Sequence, residues 1–150
     1  MRTTAKADYA VRAAIELAAA GEMLTAEQIA HATGIPHNFL ENILGDLRHA
    51  GIVRSQRGAD GGYWLARPAG DITVADVIRA VEGPLASVRG GRPEDVEYAG
   101  AAEPLAQVWI AVRASLRAVV ERVTLADIAA GRLPPRIMEL AEDPEAWVTR

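Results

Sequence analysis

Apolar positions along this chain change their spacing in a definite order, and that order predicts the elements. From about Thr3 to Ala20 they recur at helical intervals, with Val11, Ala14, Ile15 and Ala18 on one stripe and alanine throughout. Thr25 then precedes a short periodic run with Gln28 three residues on, a capping-box pair that opens a helix stopped by Gly34. Pro36 suits the first turn of the next helix. That helix carries Phe39, Leu40, Ile43, Leu44 and Leu47 at apolar positions, and His37, Asn38, Glu41, Asn42 and Asp46 on its polar side. After Gly51 the period switches: Ile52–Ser55 and Tyr63–Ala66 read as strands around a loop, Gln56–Gly62, that holds three glycines. Two short helices joined by a tight turn predict a helix-turn-helix, whose second helix enters a DNA major groove. A glycine-rich hairpin tip alone is only a flexible turn. Directly after a helix-turn-helix, and flanked by Arg54 and Arg57, it reads as the wing of a winged helix.

Beyond a turn at Arg67–Gly70, Thr73 with Asp76 opens a helix bearing Val74, Val77, Ile78 and Val81, which Gly83-Pro84 ends. Ser87–Ala102 is polar, rich in glycine and charge, and without period, so it reads as a loop. A long helix follows from about Glu103 to Arg122, with Leu105, Val108, Trp109, Val112, Leu116, Val119, Val120 and Val123 apolar. At roughly 30 Å it is too long for so small a domain to cover. The same helix of a second subunit is the most economical partner, a core helix within one chain being the other option. Thr124 with Asp127 caps one more short helix, Leu125–Ala130, before Gly131 and Pro134-Pro135 break the chain. The expected fold is mainly α with a small β-hairpin wing. The expected organisation is a DNA-binding domain over 1–83, a linker over 84–102 that is an effector or partner region, a dimerisation helix with its short successor over 103–131, and a tail over 132–150.

Composition changes this picture in two places. The net charge of −4 opposes nucleic-acid binding, and residues 1–70 carry seven basic and seven acidic side chains, so any DNA affinity must come from a local footprint. Arg2, Lys6, Arg48, Arg54 and Arg57 are its candidates, doubled in a dimer. The neutral balance also supports a rival reading, a helix-turn-helix module for protein–protein contact without an operator. Cysteine is absent, which excludes disulfides, thiol catalysis, thiolate zinc sites and cysteine-held iron–sulfur clusters. No apolar run is long enough to span a bilayer and no signal-peptide pattern opens the chain, so a cytoplasmic protein without membrane contact is expected.

Catalytic motifs are missing: no GxSxG, no Walker loop, no GxGxxG after a strand and no HExxH. His31, His37 and His49 are the only imidazoles and none pairs with another at the spacing of a metal site, so neither catalytic nor metal residues are expected. For DNA the chemistry is better supplied. Asn38 and Asn42 carry amides that pair with adenine, and Glu41 can accept from a cytosine amino group. Arg48 and the Thr25 helix N-terminus suit phosphate.

The run MRTTAKADYAVRAAIELA, followed by IAHATGIPHNFLENILGDLRHAGIVRSQRGADGGYWLARPAGDITVADVIRAVEG, resembles the IscR/NsrR/CymR-type regulators, the Rrf-two family. The later VW and TLADIAAG are similar to the family's dimerisation helix and the segment after it; residues past Gly131 match nothing. The resemblance implies a homodimeric winged-helix repressor on a pseudo-palindromic operator of double-stranded DNA. It implies base recognition at Glu41 and a minor-groove arginine at Arg57, and Thr25, Pro36, His37, Asn38, Phe39, Asn42, Arg48 and Gly58 complete the expected interface. The family usually has a small hydroxyl residue where this chain has Pro36. Many relatives also hold a switching iron–sulfur cluster through three cysteines in the loop before the long helix, in some with an acidic residue at the place of Asp8. Without cysteines, Asp8 is explained by the helix dipole and no such cofactor is expected. The switch expected instead is a small molecule near Tyr9, Tyr98 and Trp109, with a protein partner on the loop or constitutive binding as alternatives.

Overall fold

A computed structural model describes residues 2–150. Its middle is helix α1, Ala5–Ala20, which Thr4 caps by accepting from the Ala7 amide at 3.0 Å. Its buried face is Ala7, Ala10, Ala13, Ala14 and Leu17, whereas Val11, Ile15 and Ala18 of the expected stripe are only partly buried at its flanks. The shift has a physical reason: α1 is packed by several helices at once, and alanines let their backbones come close.

Helix α2 is Ala26–Thr33 and α3 is His37–His49. The Thr25–Gln28 capping box is formed in both directions, at 2.9 and 3.1 Å. On α3, Leu40, Ile43, Leu44 and Leu47 are buried at i, i+3, i+4 and i+7 and fill the core-facing stripe. Phe39, read with these apolar positions, lies outside that stripe and is 55 % exposed. Its ring meets Tyr9 edge-on, with centroids 6.4 Å apart.

Strands β1 (Val53–Gln56) and β2 (Gly62–Leu65) form the antiparallel hairpin, with Val53 opposite Leu65 and Gln56 opposite Gly62. Both are shifted one residue toward the hairpin tip relative to the periodicity, and pairing beyond them continues only as the Ala66–Ile52 backbone bond at 2.9 Å. The glycines are needed for contact. A Cβ on Gly61 would sit 2.2 Å from the Gln56 carbonyl oxygen, and one on Gly62 would sit 2.6 Å from that of Leu24. Gly62 thus lets β2 lie against Leu24, which exchanges two backbone bonds with Tyr63 at 2.7 and 2.9 Å.

Helix α4 (Val74–Glu82) and helix α6 (Leu125–Ala129) each begin with a formed capping box, Thr73 with Asp76 and Thr124 with Asp127. These two starts lie side by side: the Val74 amide donates to Val123 and the Leu125 amide to Ile72, both at 2.9 Å. Leu125 is fully buried in the same core as α1 and α3. The short helix expected to group with the dimerisation helix therefore packs on α1. Val123, expected on the long helix's stripe, is buried past that helix's end.

The long helix α5 is Leu105–Val120, about 24 Å at the usual rise and shorter than expected. None of its residues is buried. The loop before it has more order than its composition suggested. Val88 and Gly91 bridge across Arg89 and Gly90, both in the left-handed region, and short 3-10 turns form at Pro93–Asp95 and Gly100–Ala102. Past Gly131, a segment read only as a tail forms helix α7, Pro135–Glu142, and a 3-10 turn at Pro144–Trp147, both largely exposed.

Candidate nucleic-acid interface

The α2–α3 unit presents a polar surface because its apolar side chains are used up in the core. His37, Asn38, Glu41 and Asn42 of α3 are exposed, as Phe39 is. The Glu41 side chain is 62 % exposed, and the His37 Nδ1 lies 3.7 Å from its carboxylate. His37 also lies 3.8 Å from Glu27 of α2, so the turn between the helices carries acid on both sides of one imidazole. Pro36 stands at the N-cap and provides no side-chain bond. Thr25 spends its hydroxyl on the Gln28 amide, and its own amide is taken by the Gln28 side chain.

Not every expected cation is free. Lys6 of α1 pairs with Asp46 of α3 at 2.8 Å, so those two charges cancel at the α1–α3 junction. Arg48 donates to the Ser55 hydroxyl at 3.3 Å, tying the end of α3 to β1 while its other donors stay available. Arg54 and Arg57 are exposed on the hairpin, Arg57 just past β1 with Gly58 beside it. Asn42, Phe39 and Tyr9 line a groove of about 520 Å³ between α1 and α3, which the helical period of either segment alone could not reveal.

The three rings of the expected aromatic pocket do not all share one contact. The Trp109 indole donates to the Tyr98 hydroxyl at 3.0 Å, joining loop to α5. Tyr9 instead faces Phe39 and the Arg12 guanidinium, the latter 5.7 Å from its ring centroid. Sequence neighbours and aromatic chemistry could not tell which of these rings share a surface.

Residues 3–131 match the Rrf2 family, described as iron-dependent transcriptional regulators. The chain belongs to this family. A Mycobacterium tuberculosis (strain H37Rv) protein bearing the name of an HTH-type transcriptional regulator is 50 % identical over 148 residues, covering 97 % of this chain and 92 % of that one. CymR of Bacillus subtilis (strain 168) is 37 % identical over 131 residues, 86 % of this chain and 90 % of its own. Among solved structures, CymR, the global cysteine regulator of B. subtilis, superposes with a TM-score of 0.72 at 32 % identity, covering 87 % of this chain and 98 % of that one. IscR of T. potens gives 0.68 at 31 %, covering 100 % and 93 %. This Rrf2 protein is accordingly a winged-helix, DNA-binding transcriptional regulator and not an enzyme, which decides against the interaction-module reading. Regulators of the family bind DNA and act as dimers.

Iron in the family's description calls for a test of the residues present. The chain has no cysteine, and among the described residues no group of three or more His, Cys, Asp or Glu is placed to hold a metal ion. The loop before α5 offers the oxygens of Glu94, Asp95, Glu97 and Tyr98, and Glu94 is already paired with Arg92 and Arg113. Its own backbone amide, and then the Arg113 guanidinium, hold the Glu94 carboxyl below the usual carboxylate range. Such donors do not fit a thiolate-held cluster. Also among the described residues, no helix is long and apolar enough to cross a membrane.

Proposed function

We propose that this regulator is a repressor that binds a pseudo-palindromic operator as a homodimer joined through α5, and that it does so without an iron–sulfur cluster. The observation that carries the DNA contact is the exposed amide-and-acid face of α3, Asn38, Glu41 and Asn42, on a helix whose apolar face is buried. Asn38 and Asn42 read adenine and Glu41 accepts from cytosine. Arg57 enters the minor groove, with Gly58 allowing close approach. Arg48, His37 and the Thr25 end of α2 lie along phosphates, with Pro36 and Phe39 at the rim of the contact. Dimerisation through Leu105, Val108, Trp109, Val112, Leu116, Val119 and Val120 is supported by the incomplete burial of this stripe, in which Val108 is still 51 % exposed.

Selection of binding sites from a randomised duplex library tests this reading. The wild type yields a two-fold symmetric consensus. Glu41→Ala relaxes preference at one position of each half-site without strengthening binding to all DNA. A uniform gain over unrelated sequences would make Glu41 a repulsive charge only. Absence of any consensus would remove operator recognition.

A further inference from the structure

Where α4 ends, the loop and α5 come together around a cavity of about 340 Å³. Its wall is the Gly83–Leu85 turn and four arginines: Arg79 of α4, Arg92 of the loop, and Arg113 and Arg117 of α5. Two carboxylates pair with them, and each is shared. Glu94 lies between Arg92, at 3.6 Å, and Arg113; Glu121 lies between Arg79 and Arg117, at 3.5 Å from the latter. Four guanidiniums against two carboxylates leave a net charge of +2 around one concave space. Each guanidinium has about five N–H donors in a planar fork, so a carboxylate shared between two of them leaves most donors without a partner. Arg113 is the most enclosed, its side chain 17 % exposed, and Arg92 the most open at 68 %. That gradient gives the cavity a mouth and a base. Forked donors converging on a volume of this order are the chemistry that takes up phosphate or carboxylate groups.

We propose that this cavity binds a small organic anion carrying two or more oxyanion charges, and that the anion is the effector that sets DNA affinity. The second half rests on the regulator reading above. Coupling follows from how α5 is held. Its far end is fastened to the body by the backbone bonds of Val123 and Leu125. Its position along α4 and the loop is set by Arg79–Glu121 and Arg113–Glu94. An incoming anion competes with both glutamates for the same guanidiniums and so rewrites the contacts that fix α5 against α4. In a dimer built on α5, that changes the separation of the two α3 helices.

The test is calorimetry on the full chain without DNA, using inorganic pyrophosphate and citrate as probes at constant ionic strength. At least one probe should bind saturably, one per protomer, and which one binds separates phosphate from carboxylate recognition. Arg113→Gln should weaken binding about tenfold or more, the loss of one charge-assisted fork. Because Arg113 also anchors Glu94, Arg92→Gln at the open mouth is the second variant. It should weaken binding severalfold with an unchanged melting temperature. Arg122→Gln, exposed and outside the cavity, should change nothing. No saturable binding of either probe, binding indifferent to both cavity variants, or equal loss in Arg122→Gln would overturn the site. Operator affinity of the unliganded protein is measured separately. A protein that binds the probe but not DNA would sink the regulator reading alone, and one whose operator affinity ignores a saturating probe would reject the effector role.

Discussion

Glycine and arginine in the wing have opposite duties, and substitutions separate them. Arg57 is exposed beside the hairpin tip, so Arg57→Ala removes a charge and little packing. Operator affinity should fall by about 1–3 kcal/mol while thermal unfolding stays where it was; a gel shift and a melt on the same sample check both. Gly62 is buried against Leu24, where an added Cβ would stand 2.6 Å from a backbone oxygen that has no side-chain freedom to yield. Gly62→Ala should therefore cost about 1–3 kcal/mol of stability by overpacking, seen as a lower denaturant midpoint, with DNA binding lost as the wing shifts. Unchanged stability in the Gly62→Ala variant would show that the Leu24–Tyr63 pairing is dispensable. At this scale the cysteine-free composition and the candidate base readers were legible, since each depends on one side chain's chemistry. Which arginines are engaged was not, because Arg48 finds Ser55 and Arg113 finds Glu94 only across the fold.

The elements follow from local chemistry wherever a helix carries its own start signal. Thr25–Gln28, Thr73–Asp76 and Thr124–Asp127 all close as capping boxes, three residues apart and independent of what lies elsewhere. The α5 stripe was equally readable, and its exposure argues for a second copy. Leu116→Arg would place an unpaired charge at that seam. Size-exclusion chromatography with light scattering should then report monomer or aggregate, and operator binding should disappear. A dimeric variant that still binds DNA would put the interface elsewhere. What the period of α5 could not reveal is the flank of that stripe, where Arg113 and Arg117 meet Arg79 and Arg92 from elements well separated in sequence.

For the whole molecule, the family description and the side chains point different ways on iron. The loop that precedes α5 is held by ion pairs and by Trp109 bonding Tyr98, and it has no sulfur to offer a metal. Protein purified without oxygen should be colourless and contain no stoichiometric iron, by visible absorption and metal analysis. An absorption band with about one cluster's worth of iron per protomer would reverse that expectation. Operator half-sites recovered from selection should be centred one helical turn apart, about 34–36 Å, or a multiple of it.

By itself the sequence determined what is local or chemical. It carried the order of helices and strands as far as Gly131, the caps, the α3 polar face, the glycine-rich hairpin and the absence of any thiol. Those features depend on residues within one turn of each other, or on composition alone. The tertiary structure decided what is shared between distant segments. It made alanine-faced α1 the centre of the core and drew α6 into that core beside the start of α4. It turned Phe39 out toward Tyr9, bonded Trp109 to Tyr98, and gathered four arginines around one cavity. A helical period says which side of a segment is apolar, but only the packing of all segments together fixes which sides meet.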